Sequence, residues 1–278
     1  DSHTITGFDP DRLSMTQPIS FAQLIAGFDP ARPFDVPADW LQGRTVYGGL
    51  MTALALQAAL RDAPADLPPL KSAQVSFIGP ASSALMFDPR VLRQGKSVVS
   101  MSVDGVSAGA LAVRAAFVFA RTRDSAVTHD FSTRPTVPEP DACPPMPENA
   151  RRVAPAFASH FELRKAGGAF PVSGAREPEF LFWTRHQDAQ GVNPMVAMVA
   201  LADLLPPAAM ACFDKPAPVS SVTWTFDLLH GVPPKGEWFL QRSFSRQSAE
   251  GYSMQDMEVW DEDRRLVLWG RQSVALFA

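Results

Sequence analysis

VYGGLMTALALQAAL, residues 46–60, decides the fold, together with its echo PMVAMVALADLL, residues 194–205. Both read as helices, because alanine, leucine and methionine lose little side-chain freedom in that conformation. Both are apolar nearly all round, so each must be surrounded by protein rather than lie on a surface. Their neighbours are strands. Residues 72–77, 85–92, 97–103 and 110–119 follow the first helix, with turns at 93–96 and at Asp104-Gly105. Residues 157–163 and 180–185 precede the second, and 219–229, 237–247, 253–260 and 266–277 follow it, the last pair turning at 261–264. A helix wrapped by a curved antiparallel sheet satisfies such a pattern, and two units side by side bury both helices and pair their edge strands. The fold class is α+β.

Each half ends in a hairpin after its helix, so the chain tells one story twice. Overlaying the halves by their ends puts Asp203 near Ala59 and Gln272 opposite Arg114. Polar chemistry is concentrated in the second telling. Residues 122–148 are rich in Pro, Asp, Thr and Ser and form the natural linker. The expected organisation is 1–121 as first repeat with its leader, 122–150 as linker, and 151–278 as second repeat. A short amphipathic helix is expected within residues 18–28.

Composition narrows the function. The 278 residues are 46% hydrophobic and 19% charged, ordinary for a globular protein. A net charge of −4 and a pI near 5.7 argue against a general nucleic-acid or anionic-membrane surface. No stretch has the roughly 18 consecutive apolar residues of a membrane helix. Two cysteines, Cys143 and Cys212, are too few for a disulfide framework and suit a reducing, cytoplasmic setting. The N-terminal stretch lacks the basic start and apolar run of a secretory signal, residues 1–14 are polar, and Met15 is a candidate native start.

Several motifs invite chemistry and are declined. Gly105-Val106-Ser107-Ala108-Gly109 satisfies G-x-S-x-G, but a nucleophile elbow needs strand, turn, then helix, and here both flanks are strands. His129, His160, His186 and His230 are scattered without metal-ligand spacing, so neither metal nor cofactor is expected. The basic turn Arg93–Lys96 is a solvated turn before it is a phosphate site.

Four stretches together resemble the acyl-CoA thioesterase II family and its double hotdog fold. They are Val46-Tyr47-Gly48-Gly49-Leu50; Val91-Leu92-Arg93-Gln94-Gly95-Lys96-Ser97; Phe161-Glu162-Leu163-Arg164; and Ala202-Asp203-Leu204-Leu205-Pro206 with Gly270-Arg271-Gln272-Ser273-Val274. The resemblance spans roughly residues 40–278. It implies an acyl-CoA substrate, a cytoplasmic homodimer and a place in fatty acid metabolism. It also implies a site in the second repeat built from an aspartate at the helix end, a hydroxyl on the next strand and a glutamine on the last strand. Asp203 and Gln272 match directly. Counting back from Trp238, with one inserted residue near Pro233-Pro234, places the hydroxyl at Ser221, with Thr223 in reserve on the same face by period-two alternation.

These residue types suit thioester hydrolysis. A carboxylate accepts the proton of an attacking water, while a hydroxyl and an amide orient it. Gly48-Gly49 at a helix start let a ligand approach the backbone, so both are candidate substrate or oxyanion contacts. Each residue also has a plainer reading: a solvated aspartate, an exposed edge amide, ordinary strand hydroxyls. Asp203 resists it, because a helix C-terminus disfavours negative charge and apolar surroundings demand partners for a carboxylate. The rival functions are a non-catalytic acyl carrier of the same fold, an enoyl-CoA hydratase, whose aspartate–histidine pair at a helix start is missing here, and a serine esterase using Ser107.

Overall fold

The computed structural model describes residues 18–82, 84–229 and 236–278. The leader, His230 and Pro233-Pro234 lie outside them. The chain runs α1 (Phe21–Gly27), β1 (Leu41–Gln42), β2 (Thr45–Val46), α2 (Gly48–Arg61), β3 (Leu70–Phe77), β4 (Leu85–Gln94), β5 (Val98–Ser107) and β6 (Ala110–Ala120). It continues through α3 (Glu148–Val153), β7 (Phe161–Gly168), β8 (Glu179–His186), α4 (Pro194–Ala202), β9 (Val219–Leu228), β10 (Phe239–Ala249), β11 (Tyr252–Trp260) and β12 (Leu266–Leu276).

Ten strands form one antiparallel sheet in the order β4-β5-β6-β3-β9-β12-β11-β10-β8-β7. The halves join where β3 pairs with β9, Gln74 opposite Thr225. On either side of that seam the order β3-β6-β5-β4 is answered by β9-β12-β11-β10. One face of this sheet carries Val75, Met101, Phe117, Trp224, Met257 and Leu268 into a single core with α2 and α4. Both helices are buried along most of their length, and they pack against each other. This is the expected arrangement of two all-apolar helices with no solvent face to spare.

Several local expectations are corrected. The β5–β6 hairpin turns at Ala108-Gly109, with φ of 51° and 76°, not at Asp104-Gly105. Asp-Gly is a turn signal in isolation, but here the ladder runs on, because Val106 and Ser107 still find partners in Leu111 and Ala110. Gly105 lies within the strand, where a Cβ would sit 2.5 Å from the Val113 side chain. The strand expected from residue 157 begins at Phe161, and the short 3₁₀ turn before it lets Phe157 stack on Tyr47 with ring centroids 3.9 Å apart. α4 stops at Ala202, leaving Asp203 as its C-cap. The overlay of Gln272 on Arg114 also fails. Arg114 is on the outer face, paired with Asp104, whereas Gln272 is buried on the helix side.

The Pro-rich stretch is partly a cover. Cys143 is buried with Leu181, Trp183, Trp238, Leu240, Trp260 and Leu266. The Trp183 indole donates to the Pro138 carbonyl at 2.9 Å, so this part of the chain is tied onto the strands.

Candidate active site

Asp203 sits where two helix ends meet. α4 brings its C-terminus to the place where α2 begins. Tyr47, the residue before α2, donates its hydroxyl to the Ala200 carbonyl at 2.7 Å. Burial first, and Asp203 second, push the Tyr47 phenol well above its usual range, so it remains a neutral donor. The two glycines permit the contact. A Cβ on Gly49 would lie 2.5 Å from the Tyr47 ring and 2.6 Å from the Ala200 carbonyl oxygen. A Cβ on Gly48 would lie 2.7 Å from Asp203 Oδ2.

The carboxylate is held from two sides. Gln272 Nε2 donates to Asp203 Oδ1 at 2.5 Å, and the Gly49 backbone N–H donates to the carboxylate. The unfavourable end of α4's dipole is thus offset by the favourable end of α2's. Burial nevertheless dominates. It raises the Asp203 pKa to about 7, against the lowering effect of Gln272 and then Gly49. Asp203 keeps some accessible surface as a residue, while burial dominates at its carboxylate.

A β-bulge separates the two candidate hydroxyls. Thr223 pairs with Ser273 and Ser221 with Val274, so Val222 is the extra residue and the side-chain alternation slips there. Cross-strand partners share a face. Ser221 therefore faces inward with Val274 and Gln272, both buried. Thr223 and Thr225 face outward and share a shallow surface hollow with Trp269 and Arg271. The shared face expected for Ser221 and Thr223 is corrected: the bulge separates them, and Thr223 is on the wrong side of the sheet for Asp203.

One participant was missed by the sequence reading. Gln255 on β11 stands opposite Gln272, is fully buried, and donates its Nε2 to Gln272 Oε1 at 2.9 Å. Its Oε1 accepts from the Ala208 N–H at 2.7 Å. The available signal was alternation: counting back from Val259 and Met257 puts Gln255 and Ser253 on the inner face.

Other candidates stay apart from this centre. Ser107 ends β5, is buried and has a polar partner. It sits between two strands rather than at a strand-to-helix turn, so Ser107→Ala should leave kcat/KM within about twofold, measured beside wild type. His186 is held neutral by burial, its pKa lowered to about 4, and its Nε2 donates to the Ala197 carbonyl. His160 stacks on Trp40 beside Asp39. Among the described residues no group of His, Cys, Asp or Glu could hold a metal ion. No helix among them is long and apolar enough to cross a membrane. Cys143 and Cys212 are both unpaired thiols.

The sheet and its two enclosed helices define a double hotdog protein, and comparisons with known proteins agree. Residues 36–120 match the acyl-CoA thioesterase N-terminal domain and residues 140–276 the acyl-CoA thioesterase C-terminal domain. The chain belongs to the acyl-CoA thioesterase family and is a thioester hydrolase. Among solved structures it is similar to a hot dog fold protein of unknown function from Alicyclobacillus acidocaldarius, with a TM-score of 0.79 and 23% identity over 88% of this chain and 92% of that one. It is similar to a tesB protein of Mycobacterium avium subspecies paratuberculosis, with a TM-score of 0.70 and 17% identity over 88% and 91%. It is also similar to the acyl-CoA thioesterase II TesB2 of Mycobacterium marinum, with a TM-score of 0.66 and 20% identity over 83% and 88%. No curated protein matches the sequence.

Proposed function

We propose that this thioesterase hydrolyses acyl-CoA with a water activated by Asp203 and positioned by Gln272 and Ser221. The observation that carries the reading is the enclosed carboxylate at the junction of α2 and α4, held by Gln272 and by Gly49. In the ionised form Asp203 takes a proton from water as the water oxygen attacks the thioester carbonyl. The tetrahedral intermediate collapses by breaking the carbon–sulfur bond, and the coenzyme A thiolate leaves and is protonated. The products are the free acid and coenzyme A. The N–H of Gly49 is engaged by Asp203, so Gly48 is the better oxyanion contact. Its N–H is among the first of α2, which by position have no acceptor within the helix.

A cavity of about 1450 Å³ runs along α4 as far as Leu201 and is lined by Met198, Phe161, Leu163 and Phe239, with Arg151 and Arg185 at its polar side. Asp203 is not among its lining residues. This cavity is read as the room for substrate parts remote from the reacting carbon. The proposed division is 1–121 and 151–278 about a 122–150 connection. The outer edge of β4 beyond its Leu85–Phe34 bridge favours a homodimer, whereas residues 144–146 cover part of the β7 edge, and the two unpaired thiols suit the cytoplasm.

The direct test is thiol release from a panel of acyl-CoAs, acetyl to palmitoyl with a benzoyl member. Turnover of at least one member is the expected result. Tight binding without turnover of any member would favour the carrier reading instead. The raised carboxyl predicts the pH profile: only the ionised base is active, so kcat/KM should rise about tenfold per unit below pH 7 and level off above it. A profile flat from pH 5 to 9 would remove Asp203 as base.

A further inference from the structure

The O and N of a glutamine amide are interchangeable in shape, so a pair of facing glutamines can be threaded in either sense. Here a third group breaks the tie. The Ala208 backbone N–H can only donate, and it reaches the side chain of Gln255. Gln255 must therefore present Oε1 to Ala208 and Nε2 to Gln272. Gln272 must in turn accept on Oε1, and only its Nε2 remains for Asp203. Every donor in the chain points towards the carboxylate. Hydrogen bonds aligned head to tail polarise one another, the more so in a dry interior. The chain also closes on itself, because Ala208 opens the short 3₁₀ segment that follows Asp203 along the backbone.

We infer that Gln255 is a positioning residue of this site: it locks the Gln272 amide in the one orientation that donates to Asp203. This rests on Asp203 being the base, as proposed above. Without Gln255 the Gln272 amide is free to turn and offer its oxygen to Asp203, an arrangement that only the protonated carboxyl tolerates.

Two readouts test this, one independent of turnover. The titration of the Asp203 carboxyl carbon is followed by ¹³C NMR, and the pH profile of thiol release is recorded beside it, for wild type, Gln255→Met, Gln272→Met and the double variant. Gln255→Met should raise the Asp203 midpoint by roughly one pH unit, the size expected for one lost hydrogen bond to the charged form. The acid limb of kcat/KM should move with it while KM stays near its wild-type value. Adding Gln255→Met to Gln272→Met should move the midpoint no further, because Gln255 acts through Gln272. An unmoved midpoint in Gln255→Met, or additive shifts in the double variant, would overturn the inference.

If Gln255→Met does not fold, wild type alone decides. The side-chain NH₂ signals of Gln272 and Gln255 should both titrate with the midpoint of Asp203, and a Gln255 signal indifferent to that titration refutes the relay. Absence of thiol release from every acyl-CoA would count against the hydrolytic reading only, since the NMR midpoints report the relay without it.

Discussion

Asp203→Asn should lower kcat/KM for acyl-CoA hydrolysis by about 10³-fold, the middle of the range for losing a positioned general base. The amide keeps the shape of the carboxylate but cannot take a proton from water. Its stability should respond in the opposite direction. The folded-state pKa of Asp203 is about 7, above the ordinary 3.8, so the folded protein holds this proton more tightly than the unfolded chain does. Stability from this group is therefore complete below about pH 4, is lost as pH rises through 7, and is level above that. The neutral variant escapes that loss, so at pH 8 its Tm should equal or exceed that of wild type. A variant that is inactive and also much less stable at pH 8 would mark Asp203 as structural. Retention of full activity would remove it from the site.

Gly49→Ala should damage stability and activity together. The new Cβ would meet the Tyr47 ring at 2.5 Å and the Ala200 carbonyl oxygen at 2.6 Å. The latter is backbone of α4 and cannot swing aside. α2 and α4 must then separate, straining the Tyr47–Ala200 hydrogen bond and drawing the Gly49 N–H away from Asp203. Overpacking of this kind costs about 3 kcal/mol, which corresponds to a fall in Tm of roughly 5–10 °C for a chain of this size. Activity should fall about 100-fold as well, because small displacements of catalytic groups cost that much. Thermal unfolding and thiol release on the same preparation check both numbers. A stable, active Gly49→Ala would mean that the close approach of the two helices is not required.

Much of this was legible from particular residues. The all-apolar segments at 46–60 and 194–205 dictated enclosed helices, because no arrangement with a solvent face would bury them. Asp203 stood out because a carboxylate at the end of such a helix violates two local preferences at once. Gln272 was found by the family pattern, with the face of the hydroxyl read from period-two alternation. The same rule misled at Thr223, because a bulge at Val222 leaves no mark in composition and reverses every side chain on one side of it. Gln255 was overlooked for a related reason. Met254 and Met257 fall on opposite faces of β11, so the alternation around Gln255 reads ambiguously until one end is anchored.

The sequence by itself determined the main helices and strands and that the two long helices are enclosed. Periodicity and hydrophobic burial are local properties and survive without a partner in view. Only the tertiary structure decided what surrounds the carboxylate. The start of α2 faces Asp203 across more than 150 residues of chain, β12 supplies Gln272, and β11 with Ala208 sets the sense of its amide. The Asp203 pKa follows from enclosure by these groups together, and enclosure depends on packing in three dimensions, which no single segment encodes.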